Sequence, residues 1–89
     1  MATRQYFLAQ LLLEELIEER PQDAGIHHQL GKLHFELNEL ESALQCFRQA
    51  IVLNPQDSGS IYRTGSIQQK MGEIESAKAA YALAAKIHP

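Results

Sequence analysis

The sequence has little of what disulfide-bonded, strand-rich or unstructured proteins require. It contains one cysteine, Cys46, so neither an intrachain disulfide nor a thiolate metal cluster can form. Cys46 is predicted to be a small, partly buried packing residue. Only three prolines and five glycines interrupt the chain, and valine and threonine are scarce, which favours helices over strands. With 89 residues, of which 45% are hydrophobic and 21% charged, the chain is expected to form one small folded domain.

Long apolar runs and basic runs are also missing. Within the first twenty residues the longest apolar run covers residues 6–9, which is far too short for a membrane span. Apolar residues recur there at helical spacing beside glutamates, which predicts an amphipathic helix rather than a signal peptide. A net charge of −3 without a basic cluster argues against nucleic acid as a partner. The single cysteine fits a reducing compartment, and we expect a cytoplasmic location.

What the sequence does have is an internal repeat of 34 residues. The segment "ELESA" at residues 39–43 returns as "EIESA" at residues 73–77, and "PQD" occurs at residues 21–23 and 55–57. Such a period is typical of proteins built from stacked helical hairpins. The repeat also reaches back into the first twenty residues, where Ala9 and Leu13 match Ala43 and Phe47. Identical pairs at this offset include Gly31/Gly65, Ala43/Ala77, Ala50/Ala84 and Pro55/Pro89.

Each repeat is predicted to contain two helices. Asp23 and Asp57 stand where an N-cap carboxylate can accept the free N–H groups of a first turn. Asn38 and Gly72 are the residue types that best tolerate the left-handed conformation that ends a helix. The small residues of the repeat mark places where two helices approach closely. The predicted helices cover residues 3–19, 24–37, 40–53, 58–71 and 74–87.

These positions carry a family resemblance. The first full unit resembles the tetratricopeptide repeat at Leu30, Gly31, Ala43, Phe47 and Pro55, with His27 and His34 in place of two aromatic residues. The second unit matches at Gly65, Ala77, Tyr81 and Pro89 and departs from the pattern at Ile61, Thr64 and Gln68.

The resemblance covers the whole chain and implies an all-α, right-handed α-solenoid of about five helices. The resemblance divides one domain, residues 1–89, into three units. Residues 1–21 are a half repeat that has only the second helix of a repeat. Residues 24–55 and 58–89 are full repeats.

Catalytic and metal chemistry find no support in the sequence. His27 and His34 lie two helical turns apart, which is too far for the usual i, i+4 metal pair, and no HExxH motif is present. Because both occupy aromatic positions of the repeat, packing accounts for them better. No nucleophile–base set can be assembled from the serines and histidines, and no phosphate-binding loop is present. We therefore expect neither an enzyme nor a cofactor.

A partner-binding groove is implied by the resemblance, because the first helices of successive repeats line a concave surface in that family. Three of the eight basic residues and one of the eleven acidic residues belong to this set, which predicts a groove for an acidic or carboxylate-terminated peptide or helix. The alternative is that these faces are simply solvated. Besides Gly25 and Gly59, the groove residues would be His28, Gln29, Lys32, Phe35, Glu36, Tyr62, Arg63, Ser66, Gln69 and Lys70.

The ends of the repeat stack suggest two other functions. Part of the surface of Phe7, Leu8, Leu11 and Leu12 is expected to be uncovered, because the first helix lacks a partner. Exposed apolar ends predict either a piece of a longer protein or a homo-oligomer. The alternatives to a groove-binding scaffold are thus a self-associating stacking unit and a positioning module of a multidomain protein.

Overall fold

The computed structural model describes residues 2–88, without the side chains of residues 2 and 3. These residues form an all-α solenoid of five helices, which confirms the predicted fold class. Pro89, the predicted last residue of the second repeat, lies outside the described part. The helices are α1 (Ala2–Glu19), α2 (Ala24–Glu36), α3 (Leu40–Leu53), α4 (Ser58–Lys70) and α5 (Ile74–Ile87).

Two kinds of helix alternate along the chain. We call α2 and α4 the A helices and α1, α3 and α5 the B helices. The B helices end at residues 19, 53 and 87, at the spacing of the sequence repeat. Each helix packs chiefly on its neighbours in the chain, α2 with α3, α4 with α5, α3 with α4 and α1 with α2. Two helical hairpins are therefore stacked, with α1 against the first of them.

The A helices begin at aspartate caps, as predicted. The Asp23 carboxylate accepts a hydrogen bond from the Gly25 N–H at 3.0 Å, and the Asp57 carboxylate accepts one from the Ser60 N–H at 3.0 Å. Each carboxylate satisfies a donor that has no partner inside the first turn of a helix. The N-cap residues of the B helices α3 and α5 are Glu39 and Glu73, and their side chains make no capping hydrogen bond.

The A helices end one residue earlier than predicted. Leu37 and Met71 are C-caps, and the backbone then turns into the left-handed region at Asn38 (φ 61°) and Gly72 (φ 83°). The following N–H, that of Glu39, donates to the carbonyl of the residue five positions earlier at 2.8 Å, and the second repeat repeats this bond. These bonds satisfy the last carbonyls of each A helix. The tight turn then directs the B helix back along the A helix.

The core depends on glycines that let the helices of a hairpin approach each other. A β-carbon on Gly31 would lie 2.9 Å from the ring of Phe47, which is fully buried. In the second repeat a β-carbon on Gly65 would lie 3.1 Å from the ring of Tyr81. The same close contact therefore occurs once in each hairpin. The central cluster consists of Ala43, Leu44, Phe47 and Ile67.

Membrane insertion of a single helix finds no support in residues 2–88. None of the five helices combines the length and the hydropathy that a bilayer-spanning segment needs.

Candidate functional site

The ten predicted groove residues lie on the two A helices, five on each. Phe35 is the one that most clearly joins the two helices. The Arg63 guanidinium carbon lies 5.7 Å from the centroid of the Phe35 ring, and the Lys70 Nζ lies 5.4 Å from it. These distances are within the range of cation–π attraction. One aromatic ring of α2 therefore holds two cations of α4 beside it.

Three further groove residues of α2 lie on the side of α1. Gln29, Lys32 and Glu36 line a shallow depression between α1 and α2, together with Tyr6, Ala9 and Leu13 of α1. Gln29 and Glu36 are exposed and Lys32 is half-buried. This part of the face is therefore open to a ligand, with Lys32 as its cation.

Tyr62, Ser66 and Gln69 are held by Tyr81, which matched the repeat pattern but is not one of the predicted groove residues. The rings of Tyr62 and Tyr81 lie 5.0 Å apart, centroid to centroid. The Tyr81 hydroxyl lies 2.9 Å from Gln69 Oε1, to which it donates, and 3.2 Å from Ser66 Oγ. Tyr81 thus extends from α5 to the polar residues of α4. The signal that could have identified it is its hydroxyl, because the equivalent position in the first repeat is the fully buried Phe47.

His28 forms a connection between the repeats. Its ring packs edge-on against Phe47, with centroids 5.5 Å apart. Its Nδ1 lies 2.6 Å from Ser60 Oγ, which in turn lies 2.6 Å from Asp57 Oδ2. Because the Ser60 hydroxyl carries one proton and donates it to the carboxylate, His28 Nδ1–H is the donor to Ser60. The hydrogen bonds fix the tautomer and join α2 to the cap of α4.

This histidine, serine and aspartate do not form a catalytic triad. Ser60 is fully buried, so its oxygen is out of reach of a substrate. Its proton points to Asp57 rather than to His28, whereas a nucleophilic serine gives its proton to the imidazole. Burial raises the pKa of the Cys46 thiol, and the nearby Glu14 carboxylate raises it further, so this cysteine is a poor nucleophile.

The histidines that invited a metal interpretation are held by hydrogen bonds. His34 is buried, and its Nδ1 lies 2.6 Å from Glu39 Oε1. His27 Nε2 lies 3.1 Å from the carbonyl of Pro21. Over residues 2–88, no three potential ligand side chains come together as a metal site.

The state of His28 leads to a prediction about pH. Burial lowers its pKa from 6.5; Asp57 opposes this shift, while Lys32 and Arg63 add to it. A proton therefore binds more readily to the unfolded state. The free energy of unfolding has its full His28 contribution above pH 6.5 and loses it as the pH falls through the lower folded-state pKa. Urea unfolding at about pH 7.5 and about pH 5 should show this loss.

The matched control for this prediction is a pair of variants. His28→Gln should lose less stability on acidification than the parent does, because the titrating group is absent. His88→Gln removes an exposed histidine and should behave like the parent. Equal losses in the parent and in His28→Gln would contradict the prediction.

Comparison with known proteins identifies one recurrent family. Two family profiles, both described as "tetratricopeptide repeat", match the chain over residues 24–57 and 60–89. No match was found among the curated proteins.

Solved structures with the same fold include two of MamA and one domain of another protein. One structure of MamA is 27% identical, with a TM-score of 0.83 over 86% of this chain and 45% of that one. MamA from Desulfovibrio magneticus RS-1 is 21% identical, with a TM-score of 0.88 over 97% and 49%. The chain thus spans about half the length of these MamA structures. The second TPR of Spaghetti (RPAP3), bound to the HSP90 peptide SRMEEVD, is 19% identical, with a TM-score of 0.90 over 93% and 77%.

Proposed function

Because this chain belongs to the tetratricopeptide repeat family, we propose that it is a non-catalytic scaffold whose A helices bind a segment of a partner protein. Tetratricopeptide repeats are a protein-interaction fold. The proposed ligand is an extended peptide or a helix that is acidic or ends in a free carboxylate. A cytoplasmic location belongs to the same proposal, because the single cysteine needs no oxidising compartment.

The observation that carries the proposal is the cluster of Phe35, Arg63 and Lys70. The Phe35 ring of α2 contacts both cations, which lie two helical turns apart on α4. A carboxylate bound beside the Phe35 ring would accept a charge-assisted hydrogen bond from either cation. The arginine fork is suited to two parallel bonds with one carboxylate.

The distribution of charge supports the same class of ligand. The A helices contain three of the eight lysine and arginine residues, Lys32, Arg63 and Lys70, and one of the eleven acidic residues, Glu36. An acidic protein therefore has a positive face on its A helices. Such a face attracts acidic segments and speeds their association.

A peptide complex of the same fold adds general support. The peptide in the RPAP3 domain, SRMEEVD, has two glutamates and a terminal aspartate. A domain of this fold can thus hold an acidic segment. The residues that would do so in this chain are its own, with Phe35 as the apolar contact.

The proposal predicts that charge reversal on the A helices abolishes the preference for acidic ligands. In Lys32→Glu/Arg63→Glu, affinity for acidic peptides should fall at least about tenfold, since each charge-assisted hydrogen bond contributes about 1.5–3 kcal/mol. An array of peptides of graded net charge, with free or amidated C-termini, measures the preference directly. Fluorescence anisotropy with the best acidic peptide then gives the dissociation constants.

The matched control carries the same charge change elsewhere. Arg48→Glu/Lys78→Glu reverses two exposed cations on the B helices α3 and α5, and it should keep the affinity of the parent within about threefold, because surface charges away from the ligand contribute little. Equal retention of acidic and neutral peptides by the parent would contradict the proposal. Equal losses in the two double variants would also contradict it, because the effect would then come from net charge alone.

A further inference from the structure

The outer face of α1 differs from the outer faces of the other B helices. Phe7, Leu8 and Leu11 are apolar and exposed, at 60%, 54% and 44% of their full surface. We call these three residues the α1 stripe. The positions 34 and 68 residues further along are also exposed, but they carry mostly polar residues. They are Glu41, Ser42 and Gln45 in α3 and Glu75, Ser76 and Ala79 in α5.

Repeat packing does not account for the α1 stripe. α3 lies between the two A helices, α2 and α4, and its residues at the equivalent positions are nevertheless exposed. Another A helix placed before α1 in the same register would therefore leave the stripe uncovered. Leu12 is not part of the stripe, because its equivalent in α3, Cys46, is partly buried. A preceding A helix would therefore cover part of Leu12. An apolar stripe that the stack would leave in solvent is typical of an interface with another molecule.

Charge is distributed unevenly around the α1 stripe. α1 is one turn longer than α3 and α5, because the residues equivalent to the turns at 37–39 and 71–73 are helical in α1. This extra turn places Arg4 on the outer face before the stripe, while Glu15 follows it. Residues 4, 8, 11 and 15 recur at three- and four-residue spacing and so share one side of the helix.

We propose that a second copy of this chain packs its α1 antiparallel against the α1 stripe. A two-fold axis that sets Leu8 opposite Leu11 of the second copy also sets Arg4 opposite Glu15 of that copy, and each contact occurs twice. Within one α1, Arg4 and Glu15 are about 16 Å apart along the axis and cannot pair with each other. The cation before the stripe and the carboxylate after it are therefore complementary between two copies.

The same charge pattern disfavours a membrane as the occupant. The end of α1 carries Glu14, Glu15, Glu18 and Glu19, which an anionic lipid surface repels. The single arginine at the other end does not compensate for four carboxylates. A self-complementary helix face is best matched by a copy of itself.

The test begins with the molecular mass as a function of concentration. Sedimentation equilibrium of the intact chain from about 10 μM to about 1 mM covers the affinities of small interfaces. The mass should rise from 10.0 kDa towards twice that value. Leu8→Glu should stay monomeric over the series with an unchanged helical circular dichroism signal. Val52→Glu makes the same change on α3, at a residue that is 72% exposed, and should dimerise like the parent.

A charge exchange tests the register of the pair. Arg4→Glu alone and Glu15→Arg alone should each weaken the dimer about fivefold to tenfold, because two exposed ion pairs become repulsive contacts. The double variant Arg4→Glu/Glu15→Arg restores opposite charges across the interface and should return to within about twofold of the parent.

Three results would overturn the proposal. The first is a monomer throughout the concentration series, whether or not the chain then binds vesicles that contain phosphatidylserine. The second is a dimer that Leu8→Glu leaves intact, because the contact would then lie outside the α1 stripe. The third is a double charge exchange that is weaker than both single exchanges, because the antiparallel register would then be wrong.

Discussion

Replacement of Phe47 by alanine should remove about half of the stability of the fold or more. The side chain is fully buried at the centre of the core, and its ring contacts both Gly31 and the edge of His28. A buried phenylalanine that is cut back to alanine costs about 3–5 kcal/mol, because the apolar contact is lost and a cavity remains. A domain of this size has about 5–10 kcal/mol in total. Urea unfolding followed by circular dichroism should show the midpoint fall to about half of the parent's value or lower.

The second repeat supplies the control for this substitution. Tyr81 occupies the position equivalent to Phe47 but is only partly buried. Tyr81→Ala should therefore cost about 1–2 kcal/mol less than Phe47→Ala, even though it also removes the hydrogen bond to Gln69. Equal losses in the free energy of unfolding would contradict the prediction, because the greater burial of Phe47 would then add no stability.

A methyl group at Gly31 should destabilise the protein, although alanine is the better helix former. The added carbon would lie 2.9–3.0 Å from three atoms of the Phe47 ring, and a ring buried on all sides has nowhere to move. Overpacking of this kind costs about 1–3 kcal/mol, which exceeds the gain in helix propensity of up to about 1 kcal/mol. Gly65→Ala meets the Tyr81 ring at 3.1 Å and the Ala80 β-carbon at 3.2 Å, which is less tight than the contact at Gly31, and the partly buried Tyr81 ring has room to shift. Its net effect should stay within about 1 kcal/mol.

A double-mutant cycle checks the cause of this difference. Phe47→Leu removes the ring that the new methyl group would meet, so Gly31→Ala should cost less in that background. The coupling energy between the two positions should be about 0.5–3 kcal/mol, the range found for residues in contact. A coupling energy near zero, or a Gly31→Ala protein as stable as the parent, would contradict the prediction. It would show that α2 and α3 can move apart to admit the methyl group without a loss of stability.

The fold could be predicted from the sequence because its signals are local and occur twice. Asp23 and Asp57 cap the A helices, and Asn38 and Gly72 adopt the left-handed turns expected of them. Each of these features depends on a few consecutive residues. The glycine and aromatic pairs add one contact inside each hairpin, at the same sequence separation in both repeats (residues 31 and 47, residues 65 and 81). The small error at the ends of α2 and α4 concerns Leu37 and Met71, whose N–H groups still make the i→i−4 bonds of a helix although their backbones have left the helical region.

The candidate site could be predicted only as a set of positions on the A helices. That Arg63 and Lys70 lie beside Phe35 depends on the angle between two hairpins, which no short stretch of sequence encodes. The bond from His28 to Ser60 spans 32 residues and depends on the same angle. Tyr81 matched only the repeat pattern, at the position of Phe47, and its hydroxyl bonds appear only when α4 and α5 are placed together. The groove itself therefore remains a prediction.

The packing of each helix on its chain neighbours has a consequence for how the protein folds. Contacts between consecutive helices close short loops, and chains whose contacts are local in sequence fold in microseconds to milliseconds. Either hairpin can form first, and the other then adds to its exposed edge. α1 has a single helical neighbour, α2, as its main support, so its amide hydrogens exchange with solvent ahead of those of α3. Local unfolding of the helical stack therefore begins at α1, and the helices further along the chain become exposed to water later.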